Sequence, residues 1–388
     1  MTPPGQRRDL DPRIAVAAFL LLLFAAYFAG SLTVAMQRPE LHRFGDFIAL
    51  WSSAKIAFDG HPALNYDAAG LHDAQVALGM DAADQYPFPY PPFFLAMLAP
   101  LGALGDSAAF AIFMALTFAA YLWAVGWDRL RAAPWLAAAL ILPTSAINIV
   151  AGQTGFLSGA LALGALRLAN ARPGAAGVLL GLLAFKPQLG LLMPVAFAAA
   201  GRWRTLAAAG GTVLAGALAS GLVLGWDIWP AWAGSLGDYA RRFAEHSPAL
   251  RLMPTVMANV EMLGAPRWAA PIAQGAAALA SVAIVWRLFR AGFTPRAGMA
   301  VLVATFLATP HALVYDLPMV GAAALWFVDE RRQGAALAAW EIGLLAAAMS
   351  FPIFMRLPDE SWPISAPILA AFLAMILARA PGELPRPR

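Results

Sequence analysis

The residues able to do chemistry stand in a few polar stretches of an overwhelmingly apolar chain. The first stretch, 45–67, carries the carboxylate of Asp46, and the rigid run Tyr-Pro-Phe-Pro-Tyr-Pro-Pro follows at 86–92. Lys186 precedes a proline inside an apolar region, and 310–316 holds a histidine, a tyrosine and an aspartate. Ionisable groups beside a membrane core are costly, so they indicate a functional site by default.

These residue types fit one kind of reaction. A carboxylate such as Asp46 can act as general base on the hydroxyl of an acceptor. A cation such as Lys186 can stabilise a phosphate leaving group as negative charge develops on it. An isoprenoid chain could lie between apolar helices. Together these parts indicate glycosyl transfer from a lipid-phosphate sugar.

Composition sets the class of protein. Of the 388 residues, 61% are hydrophobic and 12% are charged, and the mean hydropathy is +0.67. These values are typical of a polytopic integral membrane protein. The chain has no cysteine, which excludes disulfides, thiol catalysis and cysteine metal sites. The net charge of +4 is explained by its distribution along the chain, so no nucleic-acid partner is predicted.

The apolar segments predict an all-α fold with a single membrane domain over 1–388 and about 12 transmembrane helices, judged against the ~20 residues that cross a bilayer. Segment 92–104 is too short to cross and is predicted to be a re-entrant or interfacial helix. Two long extracytoplasmic loops are predicted at 36–91 and 226–268. The predicted spans are 14–36, 107–127, 133–150, 154–169, 174–185, 187–200, 203–225, 269–289, 297–310, 312–328, 335–352 and 363–379.

Two features of these spans carry further expectations. Segments 174–185 and 187–200 are split by Lys186-Pro187, and a broken helix at membrane depth persists only inside protein or beside a cavity. The first segment, 14–36, is longer than the apolar region of a signal peptide and is therefore predicted to be an anchor.

Basic residues give the orientation. Most arginines fall in alternate short connections and at both ends of the chain, and the positive-inside rule places those in the cytoplasm. The polar candidates then collect on the extracytoplasmic side, which excludes direct use of a cytoplasmic nucleotide-sugar. The Ala-, Gly- and Arg-rich composition suggests a bacterium with GC-rich DNA. The sequence thus predicts a multi-pass protein of the bacterial cytoplasmic (inner) membrane, with both termini cytoplasmic.

The order of these motifs resembles a known family. Gly-Asp-Phe-x-x-x-Trp at 45–51, the His-Pro and Tyr-Asp pairs within 59–67, Tyr-Pro-Pro-Phe-Phe at 90–94, Gly-Gln-x-Gly at 152–155 and Phe-Lys-Pro-Gln at 185–188 look like glycosyltransferase family 87. That family contains polyprenol-phosphate-mannose-dependent α-1,2-mannosyltransferases of the GT-C architecture. The resemblance runs from about residue 44 to 204 and returns at Pro-His-x-x-x-Tyr-Asp, 310–316.

The resemblance implies roles for residues. It implies that Asp46 is the catalytic base, that Lys186 meets the donor phosphate, that His311 faces the cavity, and that a single displacement inverts the anomeric carbon. The implied donor is a polyprenyl-phosphate hexose, mannose-like, and the acceptor a cell-envelope glycolipid or glycan. With Lys186 and His311, the donor-binding candidates include Gln188 and Arg251. The candidates for the cavity rim are Tyr66, Tyr90, Asn148, Gln153, Tyr315 and Asp316.

Structural roles for the same residues stay open. Asp46 could cap the helix that begins after it, because aspartate is a favoured N-cap. Lys186 could extend to the membrane interface, and His311 could be a structural histidine. The run at 86–92 could be only a stiff turn, since proline restricts the backbone. Gln153 fits a polar turn better than chemistry.

Other function classes stay open as well. A transporter or flippase for lipid-linked sugars shares broken helices and polar groups at the membrane midplane, and a non-catalytic subunit could bind the same lipids. His42, His61 and His72 lack metal-ligand spacing, so no metal site is predicted. The sequence commits to no cofactor and leaves a divalent metal open.

Overall fold

The computed structural model describes residues 45–132, 142–245, 248–332, 337–355 and 362–378, together with some positions between 19 and 33. Most of the predicted span 14–36, the stretch 133–141, His42 and both ends of the chain lie outside the described residues. The described part contains helices and connections but no strand, which confirms the predicted all-α class. Its α-helices are Phe47–Phe58, Ala68–Ala77, Pro92–Leu98, Asp106–Ala132, Pro143–Ala151, Gly155–Leu168, Pro173–Leu182, Pro187–Gly190, Leu192–Ala199, Trp203–Leu224, Ile228–Glu245, Val256–Met262, Ala269–Ala291, Pro295–Ala308, Pro318–Arg332, Ala339–Phe354 and Ser365–Ala378.

Three described helices are long and apolar enough to cross a membrane, by length and composition. They are Asp106–Gly126, Trp203–Leu224 and Ala269–Ala291. The other apolar helices have 10–17 residues, and at 1.5 Å per residue such lengths fall short of the bilayer core when taken singly. The number of about 12 crossings therefore stays a prediction. Pro92–Leu98 continues into a 3-10 segment, Ala99–Ala103, and is short, as the sequence predicted.

The predicted helix break at Lys186 is confirmed. The helix Pro173–Leu182 runs into a 3-10 turn, Leu183–Phe185, and a new helix begins at Pro187. Lys186 between them has φ −128° and ψ 74°, outside the helical region. The proline explains this conformation because its ring disfavours the α-helical region for the residue before it. The helix is thus interrupted at a buried lysine.

Glycines place the first half of this broken helix. A Cβ on Gly177 would lie 2.4 Å from the carbonyl oxygen of Thr205, and one on Gly181 would lie 2.6 Å from that of Ala209. The two glycines are four residues apart, the spacing with which helices in membranes approach closely. Trp203–Leu224 therefore packs backbone against backbone on the helix that leads to Lys186.

The two long predicted loops contain helices of their own. The first includes Phe47–Phe58, whose Phe47 ring packs 5.4 Å from Phe110 and 5.6 Å from Phe113. The second includes Ile228–Glu245, an 18-residue amphipathic helix that the search for apolar spans did not predict. Its apolar and aromatic residues recur three or four positions apart, so they form one face while polar residues occupy the other.

Candidate functional site

A buried ion pair joins two distant parts of the chain. The Nζ of Lys186 donates to Oδ1 of Asp316 at 2.7 Å, and the two side chains are only 5% and 3% exposed. Lys186 comes from the helix break, and Asp316 ends the 3-10 turn Val314–Asp316. The second carboxylate oxygen, Oδ2, accepts from the backbone N–H of Leu313 at 3.2 Å. Both oxygens of Asp316 are therefore engaged.

Aromatic rings surround the lysine. Its Nζ lies 4.8 Å from the ring centre of Tyr315 and 6.0 Å from that of Tyr90. These distances are within the range of cation–π attraction, which strengthens when the cation is removed from water. Behind Tyr90, the rings of Phe94 and Phe185 stack at 4.4 Å. The pocket of the lysine thus combines one carboxylate with an aromatic wall.

The aromatic–proline run at 86–92 is held by side chains from other elements. Prolines lack an N–H, so this extended run cannot build a regular backbone ladder, and its buried carbonyls need other donors. The bonds are Gln75 Nε2 to Tyr86 O at 2.8 Å, Trp232 Nε1 to Pro89 O at 3.1 Å and Tyr66 Oη to Tyr90 O at 2.9 Å. These bonds fix where Tyr90 lies.

Asp46 stands on the end of a neighbouring helix. Its backbone N–H donates to the carbonyl of Ala151 at 2.8 Å. Gly45 before it has φ +54°, and a Cβ there would lie 2.7 Å from the carbonyl oxygen of Val150. Asp46 occupies the N-cap position of Phe47–Phe58, but its side chain makes no capping hydrogen bond and is exposed. The capping alternative therefore does not account for this carboxylate.

The Gly-Gln-x-Gly motif lies between the two carboxylates. Gly152, with φ 64°, ends the helix Pro143–Ala151 in the left-handed conformation. Gly155 lies against Tyr315, where an added Cβ would be 1.8 Å from the carbonyl oxygen. The fully buried Asn148 accepts from the N–H of Gly155 at 2.8 Å. One motif thus carries the turn that supports Asp46 and touches the residue before Asp316.

Electrostatic influence extends across the site. Burial raises the pKa of Tyr90 above the ordinary tyrosine value, and the negative charges of Asp316 and Asp46 raise it further. Burial lowers the pKa of His311, while Asp316 acts to raise it and Lys186 to lower it. Asp316 therefore acts on the same tyrosine as Asp46, and on the same histidine as Lys186.

Sequence reasoning missed two contributors from the helix Ile228–Glu245. Trp232 binds the carbonyl of Pro89, next to Tyr90. Burial, together with Tyr90 and against the opposing effect of Lys186, raises the pKa of Tyr239 to about 12. The signal was present, because positions 232 and 239 are seven residues apart and share one helix face.

The remaining predicted residues have more peripheral or structural positions. Gln188 is half-buried in the first turn of Pro187–Gly190, and Arg251 is half-buried in the 3-10 turn Pro248–Leu252. Gln153 is buried, and its Oε1 accepts from the N–H of Thr154 at 3.3 Å. Among the residues that the structure describes, no three His, Asp or Glu side chains gather as a possible metal site.

Three described helices are apolar enough to cross a membrane, and an ion pair is buried at a helix break. These features are those of a helical membrane protein. The family model of glycosyltransferase family 87 matches residues 88–310, more than half of the chain. The chain therefore belongs to glycosyltransferase family 87, as its motifs predicted, and is a membrane glycosyltransferase. Comparisons with curated proteins and with solved structures gave no match. Lys186 lies inside the matched region, whereas Asp46 precedes it and Asp316 follows it.

Proposed function

We propose that this glycosyltransferase moves a hexose, mannose-like, from a polyprenyl-phosphate donor to a glycolipid or glycan of the cell envelope. The observation that carries the proposal is the buried, aromatic-walled Lys186 at a helix break. The exposed carboxylate of Asp46 acts electrostatically on Tyr90, one of the rings of that wall. A buried cation suits a phosphate held among apolar helices. An exposed carboxylate suits a hydroxyl that arrives from water.

On the donor side, Lys186 binds the phosphate. An ammonium group has three N–H donors, and the bond to Asp316 uses one of them. As the anomeric C–O bond breaks, its electron pair leaves with the phosphate oxygen, and the lysine stabilises the charge that develops there. Gln188, Arg251 and His311 are the proposed additional contacts to the phosphate or the sugar, and the polyprenyl chain lies between helices.

On the acceptor side, Asp46 removes the proton. The acceptor hydroxyl attacks the anomeric carbon opposite the departing phosphate, so the new C–O bond forms with inversion. Asp46 takes the hydroxyl proton as the bond forms. The rim residues Tyr66, Tyr90 and Tyr315, with Asn148 and Gln153, shape the cavity in which acceptor and donor meet.

The proposed location is the bacterial cytoplasmic membrane, with both termini in the cytoplasm and the active site on the extracytoplasmic face. The arginine distribution supports this orientation. Family membership favours catalysis over the two alternatives, transport and non-catalytic lipid binding, since neither requires a glycosyltransferase.

The direct test uses purified protein, a labelled polyprenyl-phosphate hexose and a glycolipid acceptor. We expect release of polyprenyl phosphate together with a glycosylated acceptor. Transfer from a soluble nucleotide-sugar without a lipid intermediate would contradict the proposal. Flipping of the intact donor in proteoliposomes, with no transfer, would favour the transporter instead.

The role of Lys186 has its own test. In Lys186→Met we expect the donor KM to rise or turnover to fall by about 10- to 100-fold, because a hydrogen bond to a charged group contributes ~1.5–3 kcal/mol. The variant also leaves Asp316 buried without its partner, at a cost of about 3–5 kcal/mol in stability, so kinetics are measured well below its Tm. Lys55→Met, which removes an exposed pair with Asp59, is the control. Unchanged kinetics in the folded Lys186 variant would exclude a phosphate role.

A further inference from the structure

Contacts on both oxygens fix the carboxylate of Asp316. Its Oδ2 accepts from the N–H of Leu313 at 3.2 Å, and its own N–H donates to the carbonyl of Leu313 at 2.8 Å. These two bonds close a tight turn at the end of the segment 309–316. The remaining oxygen, Oδ1, meets the Nζ of Lys186 at 2.7 Å. The turn therefore holds Oδ1 of Asp316 facing the ammonium group of Lys186.

The lysine needs such a partner for two reasons. Its side chain has four rotatable bonds, so an ammonium group without an anchor samples many positions. A buried charge is also costly unless an opposite charge lies beside it. Near Lys186, the aromatic walls supplied by Tyr90 and Tyr315 offer ring faces but no full negative charge. Asp316 is the carboxylate in direct contact with the ammonium.

We propose that Asp316 is the positioning residue for Lys186: it holds the ammonium group in one place to receive the donor phosphate. This inference rests on the proposed function, since it assumes that a phosphate reaches Lys186. It assigns Asp316 a role on the donor side rather than at the acceptor. Because Asp316 is buried and paired with Lys186, the acceptor hydroxyl is assigned to the exposed Asp46 instead.

The contrasting explanation is that the pair only joins two parts of the fold. A buried ion pair that serves packing alone can often be replaced by apolar residues of similar volume with little loss of stability. The double variant Lys186→Met/Asp316→Leu therefore separates the two roles. If the pair only packs, this variant keeps both its Tm and its turnover. If the pair serves the donor, the variant keeps its fold and loses turnover.

The principal test is Asp316→Asn. Asparagine replaces one of the two carboxylate oxygens by an NH2 group, so either the ammonium of Lys186 or the N–H of Leu313 would face another donor. We expect the donor KM to rise about tenfold or more, with the acceptor KM changed less than about twofold. Asp316→Glu keeps the charge and should recover part of the loss. The matched control is Asp59→Asn, which breaks an exposed Lys–Asp contact of 2.5 Å with Lys55.

The kinetics of each variant, compared with those of wild type, distinguish positioning from packing. Wild-type protein in the same assay reports on the proposed function, so the ratio of variant to wild type reports on Asp316 alone. If Asp316→Asn does not fold, Asp316→Glu supplies the comparison, because it retains Lys186 and alters only the position of the carboxylate. A donor KM equal to that of wild type in Asp316→Asn would overturn the proposal, as would a double variant with full turnover.

Discussion

Gly155 meets the carbonyl oxygen of Tyr315 with no space for a side chain, since an added Cβ would lie 1.8 Å from that oxygen. Real Cβ atoms do not approach so closely, so any side chain at 155 must displace the neighbouring backbone. The next residue after Tyr315 is Asp316, the partner of Lys186. Gly155 of the Gly-Gln-x-Gly motif therefore limits where Asp316, and with it the ion pair to Lys186, can lie.

Replacing Gly155 by alanine should disrupt the site from outside it. We expect Gly155→Ala to shift the turn at Tyr315, lower turnover at least about tenfold and reduce stability by roughly 1–3 kcal/mol, as overpacking does. Gly210→Ala is the control, because nothing lies within 4 Å of its added Cβ and alanine favours a helix. Turnover and Tm measured on both variants make the comparison. Equal activity in the two would show that the contact does not matter.

Gly45 offers a parallel test for Asp46. Alanine there takes on a left-handed backbone, with φ +54°, and also meets the carbonyl of Val150 at 2.7 Å. Gly79→Ala is a matched control, because Gly79 has φ +93° and open space around its Cβ. Both variants should lose about 1–2 kcal/mol to backbone strain. Only Gly45→Ala should also lower kcat, because it displaces Asp46. A similar kcat in the two variants would disconnect the glycine from catalysis.

The sequence predicted those parts of the structure that depend on local rules. The break at Lys186 follows from a proline after a lysine, and the helix start at Phe47 follows from Gly-Asp. The pairing of Lys186 with Asp316 was not predictable in this way, because 130 residues separate them. The sequence predicts both residues on the extracytoplasmic side. Which charged groups come into contact there is decided by the packing of the helices.

Two further gaps have physical causes. The helix Ile228–Glu245 was missed because a window that averages hydropathy conceals an amphipathic helix, whose apolar and polar faces cancel. The contributions of Trp232 and Tyr239, which lie on this helix, were therefore not predicted either. The count of crossings is equally hard to read from helix length, since broken helices such as Pro173–Leu182 span only in combination with the next piece.

Stability should depend on pH through His311. Burial lowers the pKa of His311 below its ordinary value, so the unfolded chain takes up the proton at a higher pH than the folded one. The stability that neutral His311 contributes is then fully present above pH ~6.5, the pKa of histidine in the unfolded chain. It is lost as the pH falls from there through the lower pKa of the folded protein. In His311→Gln, which does not titrate, we expect a flatter dependence of Tm on pH between about 8 and 5.

The control for this measurement is His61→Gln, at an exposed position before the turn Pro62–Tyr66. It should leave the pH profile of Tm as in wild type. If His311→Gln follows the wild-type curve throughout, the pH dependence arises from other groups.

Asp46→Asn is the decisive variant for catalysis. The asparagine keeps the size of the side chain but cannot take the proton from the acceptor hydroxyl. Turnover should fall by ~10²–10⁴-fold, or about 3–5 kcal/mol in the barrier, as for other general bases. Tm should hardly change, because the Asp46 side chain is exposed and makes no capping bond. The donor KM should also stay near that of wild type.

Asp67→Asn is the matched control. Asp67 lies in the same predicted loop and caps Ala68–Ala77, its side chain accepting from the N–H of Ala69. Asparagine caps a helix about as well as aspartate, so this variant should keep both Tm and turnover. If Asp46→Asn instead keeps near-native turnover, the base lies elsewhere. Because Asp316 is engaged by Lys186 and its own turn, the exposed Glu261 would be tested next.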